Sequence, residues 1–237
     1  MSHNYPKITS PFKRTDNKSK TVNTSVWFDD YAKFFGESGL VFYATEKVDG
    51  TNLNIVYDGN HISYTGHTDK TVWNPEVEEW IKSKFQTPEF EQMCEQRFGE
   101  NEIKLCGELI GPKIQNNFYK LEDYKFILFD IHNDTSNTWW NREFVEEATK
   151  ELNLDIVPLI GINGETNFTD LSVESKNTLI GWKNYLKFKD FNSKINKDIE
   201  IEGFVVRPLM EILKANGERV IYKIKIKDIL GREPYHG

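Results

Sequence analysis

Apolar and polar positions alternate with a period of two over several stretches of the chain, and each such stretch predicts a strand. Leu40 to Ala44 is an apolar run. Leu53, Ile55 and Tyr57 alternate with Asn52, Asn54 and Val56, the pattern of a second strand. Asp58-Gly59-Asn60 is a hairpin turn, and His61 to Thr65 returns from it. The period then changes. Asn74 caps a helix whose first residue is Pro75, with Val77, Trp80, Ile81 and Phe85 on one face. Thr87-Pro88 restarts a helix that turns Phe90, Met93, Cys94 and Phe98 inward. Strands follow at Glu102 to Ile110, Tyr124 to His132, Ile156 to Ile160, Ile201 to Pro208 and Val220 to Ile226. Asn141 caps a helix carrying Phe144, Val145, Ala148 and Leu152. Asp29 to Phe35 reads as a short helix and Asp170 to Lys189 as mostly helical. Residues 1–30 are polar and poorly periodic, and within them Phe12-Lys13-Arg14 stands out as an aromatic beside two bases. Strands outnumber helices and short turns join many of them. The expected class is α+β with antiparallel sheets and flanking helices.

Composition narrows this picture a little. A chain of 237 residues with 38% hydrophobic content can build one large domain or two small ones, and a single domain over 1–237 is the expectation. Cys94 and Cys106 lack metal-site spacing, so they read as buried apolar filler in a reducing compartment. No apolar run approaches the roughly 20 residues of a membrane span, and the N-terminus has no signal-peptide core. A cytoplasmic location without membrane attachment is expected. The net charge of −7 argues against a general nucleic-acid binder, but the charge is unevenly spread. Glu76 to Glu102 holds eight acids and three bases, whereas Trp182 to Arg232 holds twelve bases and seven acids. The basic C-terminal third is either a phosphate-facing surface or an ordinary solvated face.

The candidate chemistry centres on Glu46-Lys47-Val48-Asp49-Gly50-Thr51-Asn52, a loop between two predicted strands. Lysine attacks as the free amine, so a nucleophilic lysine needs burial or basic neighbours. By itself Lys-x-Asp-Gly is also an ordinary hairpin turn with a solvated lysine. Other stretches supply what a nucleotide would need. Glu108 and Glu202 are acids beside glycines near strand ends; one could take a ribose hydroxyl and the other a metal through its water shell. Phe126 could stack on a base. Lys223 and Lys225 alternate with Tyr222, Ile224 and Ile226, so they share one face of a strand and could clamp phosphate oxygens.

Taken in order, these stretches resemble the covalent nucleotidyltransferase superfamily of ATP-dependent ligases and capping enzymes, and within it the phage-type RNA ligase 2 family. Lys47, Asp49, Gly50 and Asn52 fit K-x-[DH]-G-x-N. Gly107, Glu108, Gly111 and Pro112 fit G-E-x-x-G-P, and Phe126, Asp130 and Ile131 fit F-x-x-F-D-I. Glu202, Gly203, Val205 and Arg207 fit E-G-x-V-x-[KR]. Lys223 and Lys225 fit the final K-x-K, with Lys225 and Lys227 as a second register.

The resemblance implies a nucleotidyltransferase domain that uses ATP and Mg2+. It makes Lys47 the nucleophile, helped by Lys223 and Lys225. It gives nucleotide-binding roles to Glu46, Asn52, Glu108, Phe126, Glu202 and Arg207, with Glu202 also at the metal. The implied reaction forms lysyl-AMP, passes AMP to a 5′-phosphate and seals it to a 3′-hydroxyl. The implied partner is nucleic acid, RNA at a nicked or bridged duplex first, with a separate protein as a source of extra grip. A nucleotidyltransferase that caps or modifies without sealing, and a silent nucleic-acid-binding module, are the other readings. His67 stands where the family has a basic residue after the hairpin, and neither an OB-fold nor a helical C-terminal domain follows Asp228 in this sequence. Both departures predict weak, salt-sensitive binding of the nucleic-acid end.

Overall fold

The computed structural model describes residues 5–15, 22–37, 42–68, 70–162 and 192–235. The predicted helix at Asp170 to Lys189 lies outside them. The chain divides into two compact units, one of Asp49–Val157 with the N-terminal Tyr5 and Pro6, the other of Lys7–Val48 with the chain from Pro158 onward.

The first unit is built on a six-stranded sheet. Its strands are β4 (Thr51–Tyr57), β5 (Ile62–Thr65), β6 (Ile103–Ile110), β7 (Lys125–Asn133), β8 (Thr138–Trp139) and β9 (Asp155–Ile156). They run β5-β4-β6-β7-β8 in antiparallel pairs, and β9 joins β7 in parallel. Alternation decides the faces. Leu53, Ile55, Leu105, Leu109, Phe126 and Leu128 share one core with residues of the helices α2 (Pro75–Phe85), α3 (Pro88–Phe98) and α4 (Arg142–Glu151). The predicted caps form: Asn74 accepts from the Glu76 amide at 3.1 Å and Asn141 from Phe144 at 3.1 Å. Thr87, at the expected restart of a helix, accepts from the Phe90 amide at 3.2 Å. Cys94 and Cys106 are buried thiols of this unit, and burial pushes the Cys94 thiol up to about 12.

The second unit holds a four-stranded antiparallel sheet in the order β10-β3-β11-β12. Here β3 is Phe42–Glu46, β10 is Leu159–Ile162, β11 is Gly203–Pro208 and β12 is Tyr222–Lys225. Phe42, Ala44, Phe204, Val206, Tyr222 and Ile224 line its apolar face, where Ala32 and Phe35 of α1 (Asp30–Glu37) pack. A separate pair, β1 (Phe12–Arg14) and β2 (Val22–Trp27), stacks the Phe12 and Trp27 rings 5.0 Å apart. The free edge of β12 is taken by the N-terminal segment: Thr9 bridges Tyr222, and the Lys223 amide donates to the Thr9 carbonyl at 2.9 Å.

Several boundaries depart from expectation. The run Ile156 to Ile160 is two strands, because Pro158 cannot donate to a ladder and the chain changes sheets there. The strand expected to reach Ile226 stops at Lys225, and Ile226 opens a short helix, α5 (Ile226–Leu230). The region 1–30, read as lacking periodicity, contains the β1–β2 pair. The antiparallel α+β class is what the structure shows.

Candidate active site

The site is built by strand register in the second unit. Phe204 lies opposite Glu46, and the Lys47 amide continues the ladder by donating to Gly203 at 2.9 Å. On the other side of β11, Gly203 lies opposite Lys225 and Val205 opposite Lys223. Gly203 is required by this approach, since a Cβ there would collide with the Ile224 carbonyl. Lys47 at the end of β3, Glu202 just before β11 and Lys225 at the end of β12 are thereby neighbours in space.

The Glu202 carboxylate is the centre of the cluster. One oxygen accepts from Lys47 Nζ and the other is paired with Lys225 Nζ. Its side chain is 11% exposed, against 21% for Lys47 and 23% for Lys225. Burial alone would raise this carboxyl, but the ammonium groups of Lys47 and Lys225 overcome it and hold Glu202 below the usual carboxylate range. Lys223 is not part of this bridge. Burial, with the Lys47 and Lys225 charges nearby, pulls it down from 10.5 to about 8. The result is a surplus of cations around one acid, a surface suited to phosphate oxygens.

The remaining predicted residues fall in several places. Glu46 is buried, and its carboxylate accepts from Ser193 Oγ at 2.6 Å and the Lys194 amide at 3.1 Å, so it ties down the 192–200 loop. Arg207 is buried with its guanidinium over the Tyr43 ring, 5.6 Å from the centroid. Lys227 lies beyond the strand in α5 and pairs with Glu233 at 3.2 Å.

In the first unit, Asn52 and Glu108 are cross-strand neighbours, and Asn52 Nδ2 donates to the Gly107 carbonyl at 3.3 Å. Gly50 lies against the Leu109 carbonyl with no room for a Cβ. The Asp49 amide donates to Tyr119 Oη at 3.1 Å, and Gln115 donates to the Gly50 carbonyl at 3.3 Å. His67 is exposed on the turn after β5. Phe126 is 4% exposed, packed edge-to-face on Phe85 and against Gly107 in the core. Sequence reasoning passed over Phe129 three residues on. It is unpaired at a bulge of β7, half-buried, with Tyr5 edge-on at 4.9 Å. The extra residue of the bulge reverses the alternation there, a signal that no period-two pattern carries.

Among the described residues no group of three or more His, Cys, Asp or Glu side chains converges. A single carboxylate between lysines does not make an all-protein metal cage. Both its oxygens are taken by lysines, so a divalent ion would meet it only through coordinated water while resting mainly on substrate phosphates. Among the described residues no helix is long and apolar enough to cross a membrane.

These antiparallel sheets with flanking helices are a nucleotidyltransferase fold. The solved structures that match have it. A Naegleria gruberi RNA ligase variant with ATP and manganese aligns with TM-score 0.59 and 21% identity over 94% of this chain and 60% of its own. A second variant of that ligase, also with ATP and manganese, aligns with TM-score 0.60 and 20% identity over 98% of this chain and 63% of its own. The same ligase with pyrophosphate gives 0.58 and 21% over 93% and 61%. The chain thus spans less than two thirds of the length of these solved ligases. Comparison with curated proteins returns no match. The RNA ligase family model matches residues 40–225, and this chain belongs to the RNA ligase family.

Proposed function

We propose that the chain is an ATP-dependent RNA ligase acting through lysyl-AMP on Lys47, with both compact units belonging to one nucleotidyltransferase domain. The observation that carries this reading is the Glu202 carboxylate shared by Lys47 and Lys225, with Lys223 on the same strand face. In the first step the Lys47 Nζ lone pair attacks the α-phosphorus of ATP. The α–β anhydride bond breaks, pyrophosphate leaves with the bonding electrons, and Lys47 passes to water both the ammonium proton it sheds before attack and the proton it sheds on forming the P–N bond. Glu202 fixes the direction of the Lys47 side chain, which is the positioning that phosphoryl transfer chiefly needs. Lys223 and Lys225 meet phosphate oxygens. Lys223 gains most, since its ammonium is disfavoured until an anion arrives. A magnesium ion, when bound, neutralises charge on the phosphates, with Glu202 as the residue that would hold it through water.

By the motif resemblance, Asn52, Glu108 and Arg207 hold the nucleotide. The base-stacking role given to Phe126 sits poorly with its enclosure in the core, and Phe129 is the more open ring of that strand. AMP then passes to a 5′-phosphate, and a 3′-hydroxyl displaces it and seals the strand. The register Lys223 and Lys225 is favoured over Lys225 and Lys227, because Lys227 is engaged with Glu233 outside the strand.

The test is sealing itself. A 5′-phosphorylated nicked RNA duplex with ATP and magnesium gives joined product on this reading. Labelled protein without joining supports a capping or modifying enzyme, and neither supports a silent module.

A further inference from the structure

A cavity of about 680 Å³ opens beside β12, lined on one wall by Lys223, Lys225 and Lys227. The lining also takes in the N-terminal segment and β1, with Lys7, Lys13 and Arg14. Six cations therefore face one lining acid, Asp228, in a protein whose net charge is −7. The placement follows from register. The bridge from Thr9 to Tyr222 lays the N-terminal segment along β12. Two further effects report the proximity. Lys7 adds to the destabilisation of the Lys223 ammonium, after burial, Lys47 and Lys225. Asp228 is raised by burial, and Arg14, ahead of Lys225, is the leading cation that opposes the rise.

Two occupants share the chemistry that such a wall recognises: the phosphates leaving ATP, and the phosphates of a polynucleotide. The lining separates them. Phe28 forms part of it and is 43% exposed, an aromatic face that pyrophosphate cannot use and a base can. A volume near 680 Å³ is that of a whole small-molecule site rather than of a two-phosphate group. Lys7, Lys13 and Arg14 are exposed, as suits a ligand that continues past the cavity.

We infer that this cavity is a strand-binding subsite, in which Lys7, Lys13 and Arg14 take backbone phosphates of the nucleic acid being joined and Phe28 stacks on one of its bases. The inference rests on the ligase reading for the identity of the strand. It also revises the expectation of weak end binding drawn from His67, because the N-terminal segment supplies cations that the hairpin lacks.

The test uses the full chain carrying Lys13→Glu with Arg14→Glu, and separately Phe28→Ala. The ion pairs that join Glu202 to Lys47 and Lys225 involve none of these residues. Two readouts are compared: fluorescence anisotropy with a 5′-phosphorylated RNA 20-mer across a salt series, and AMP adduct formation from ATP alone. The subsite predicts that the double variant binds RNA about tenfold or more weakly, with a log–log salt slope shallower by about 1 to 2. Phe28→Ala weakens binding while leaving that slope in place. Adduct formation stays within about twofold in both. Unchanged RNA binding in the variants, or no binding by the wild type at low salt, overturns the inference. So does a parallel fall in adduct, which would assign the cavity to the phosphates of ATP. Absence of any adduct in the wild type would instead count against the ligase reading, so the two failures are distinguishable.

Discussion

At the scale of single residues, Glu202 decides the character of the site. Replacing Lys47 leaves its carboxylate still paired with Lys225, whereas replacing Glu202 leaves Lys47, Lys223 and Lys225 facing one another. Glu202→Ala is therefore expected to lower stability more than Lys47→Ala. The expected cost is about 1–3 kcal/mol in chemical denaturation, below the figure for fully enclosed pairs because the lysines keep some contact with water. Equal costs would mean that the carboxylate is not what holds the cluster. Lys223 gives a pH test. Its value falls to about 8 in the fold from 10.5, so between those limits the unfolded chain binds more protons. Stability must then rise with pH across that window, and below about 8 the penalty is fully present and constant. Lys223→Met should flatten the rise relative to wild type in denaturation curves between pH 7.5 and 10.5. Lys47, Lys223, Lys225 and Glu202 were all legible as residues in the sequence, because each sits in a short motif. Their pairing was not: the sequence offers two acids, Glu108 and Glu202, and only the β3–β11–β12 register shows which one meets the lysines.

At the scale of elements, the site depends on strands that approach without a side chain between them. Gly203→Ala would force β11 from the Ile224 carbonyl and displace Lys225 from Glu202. A loss of about 1–3 kcal/mol in stability is expected, together with loss of adduct. Wild-type adduct formation in a destabilised Gly203→Ala protein would show that the register is not needed. The helices α2, α3 and α4 could be read from sequence because their start signals are local: Asn74, Thr87 and Asn141 each bond an amide two or three residues ahead. The β1–β2 pair could not. Val22 to Trp27 is Val-Asn-Thr-Ser-Val-Trp with Val22 the one buried residue of the strand, so its pairing is set by Phe12 stacking on Trp27 rather than by alternation. The same non-local cause hides the bulge at Phe129 and the change of sheet at Pro158.

At the scale of the whole molecule, the proposed function asks an acidic chain to handle two polyanions, ATP and a nucleic acid, through local basic surfaces. The excess of bases between Trp182 and Arg232 is visible in composition, but its sharing of one cavity with Lys7, Lys13 and Arg14 from the other end of the chain is not. On that proposal adduct formation draws on the half-buried lysine cluster, and joining draws also on exposed cations. Raising salt should therefore suppress joining of a nicked RNA duplex steeply while leaving adduct formation much less affected. Parallel declines in a paired assay would contradict that division. The most direct measurement of the central claim is peptide mass spectrometry of the protein after incubation with ATP and magnesium. A mass gain equal to AMP on the peptide containing Lys47, absent in Lys47→Ala while that variant keeps its fold, is the predicted result. An AMP adduct that persists in Lys47→Ala, or one located on another residue, would contradict it.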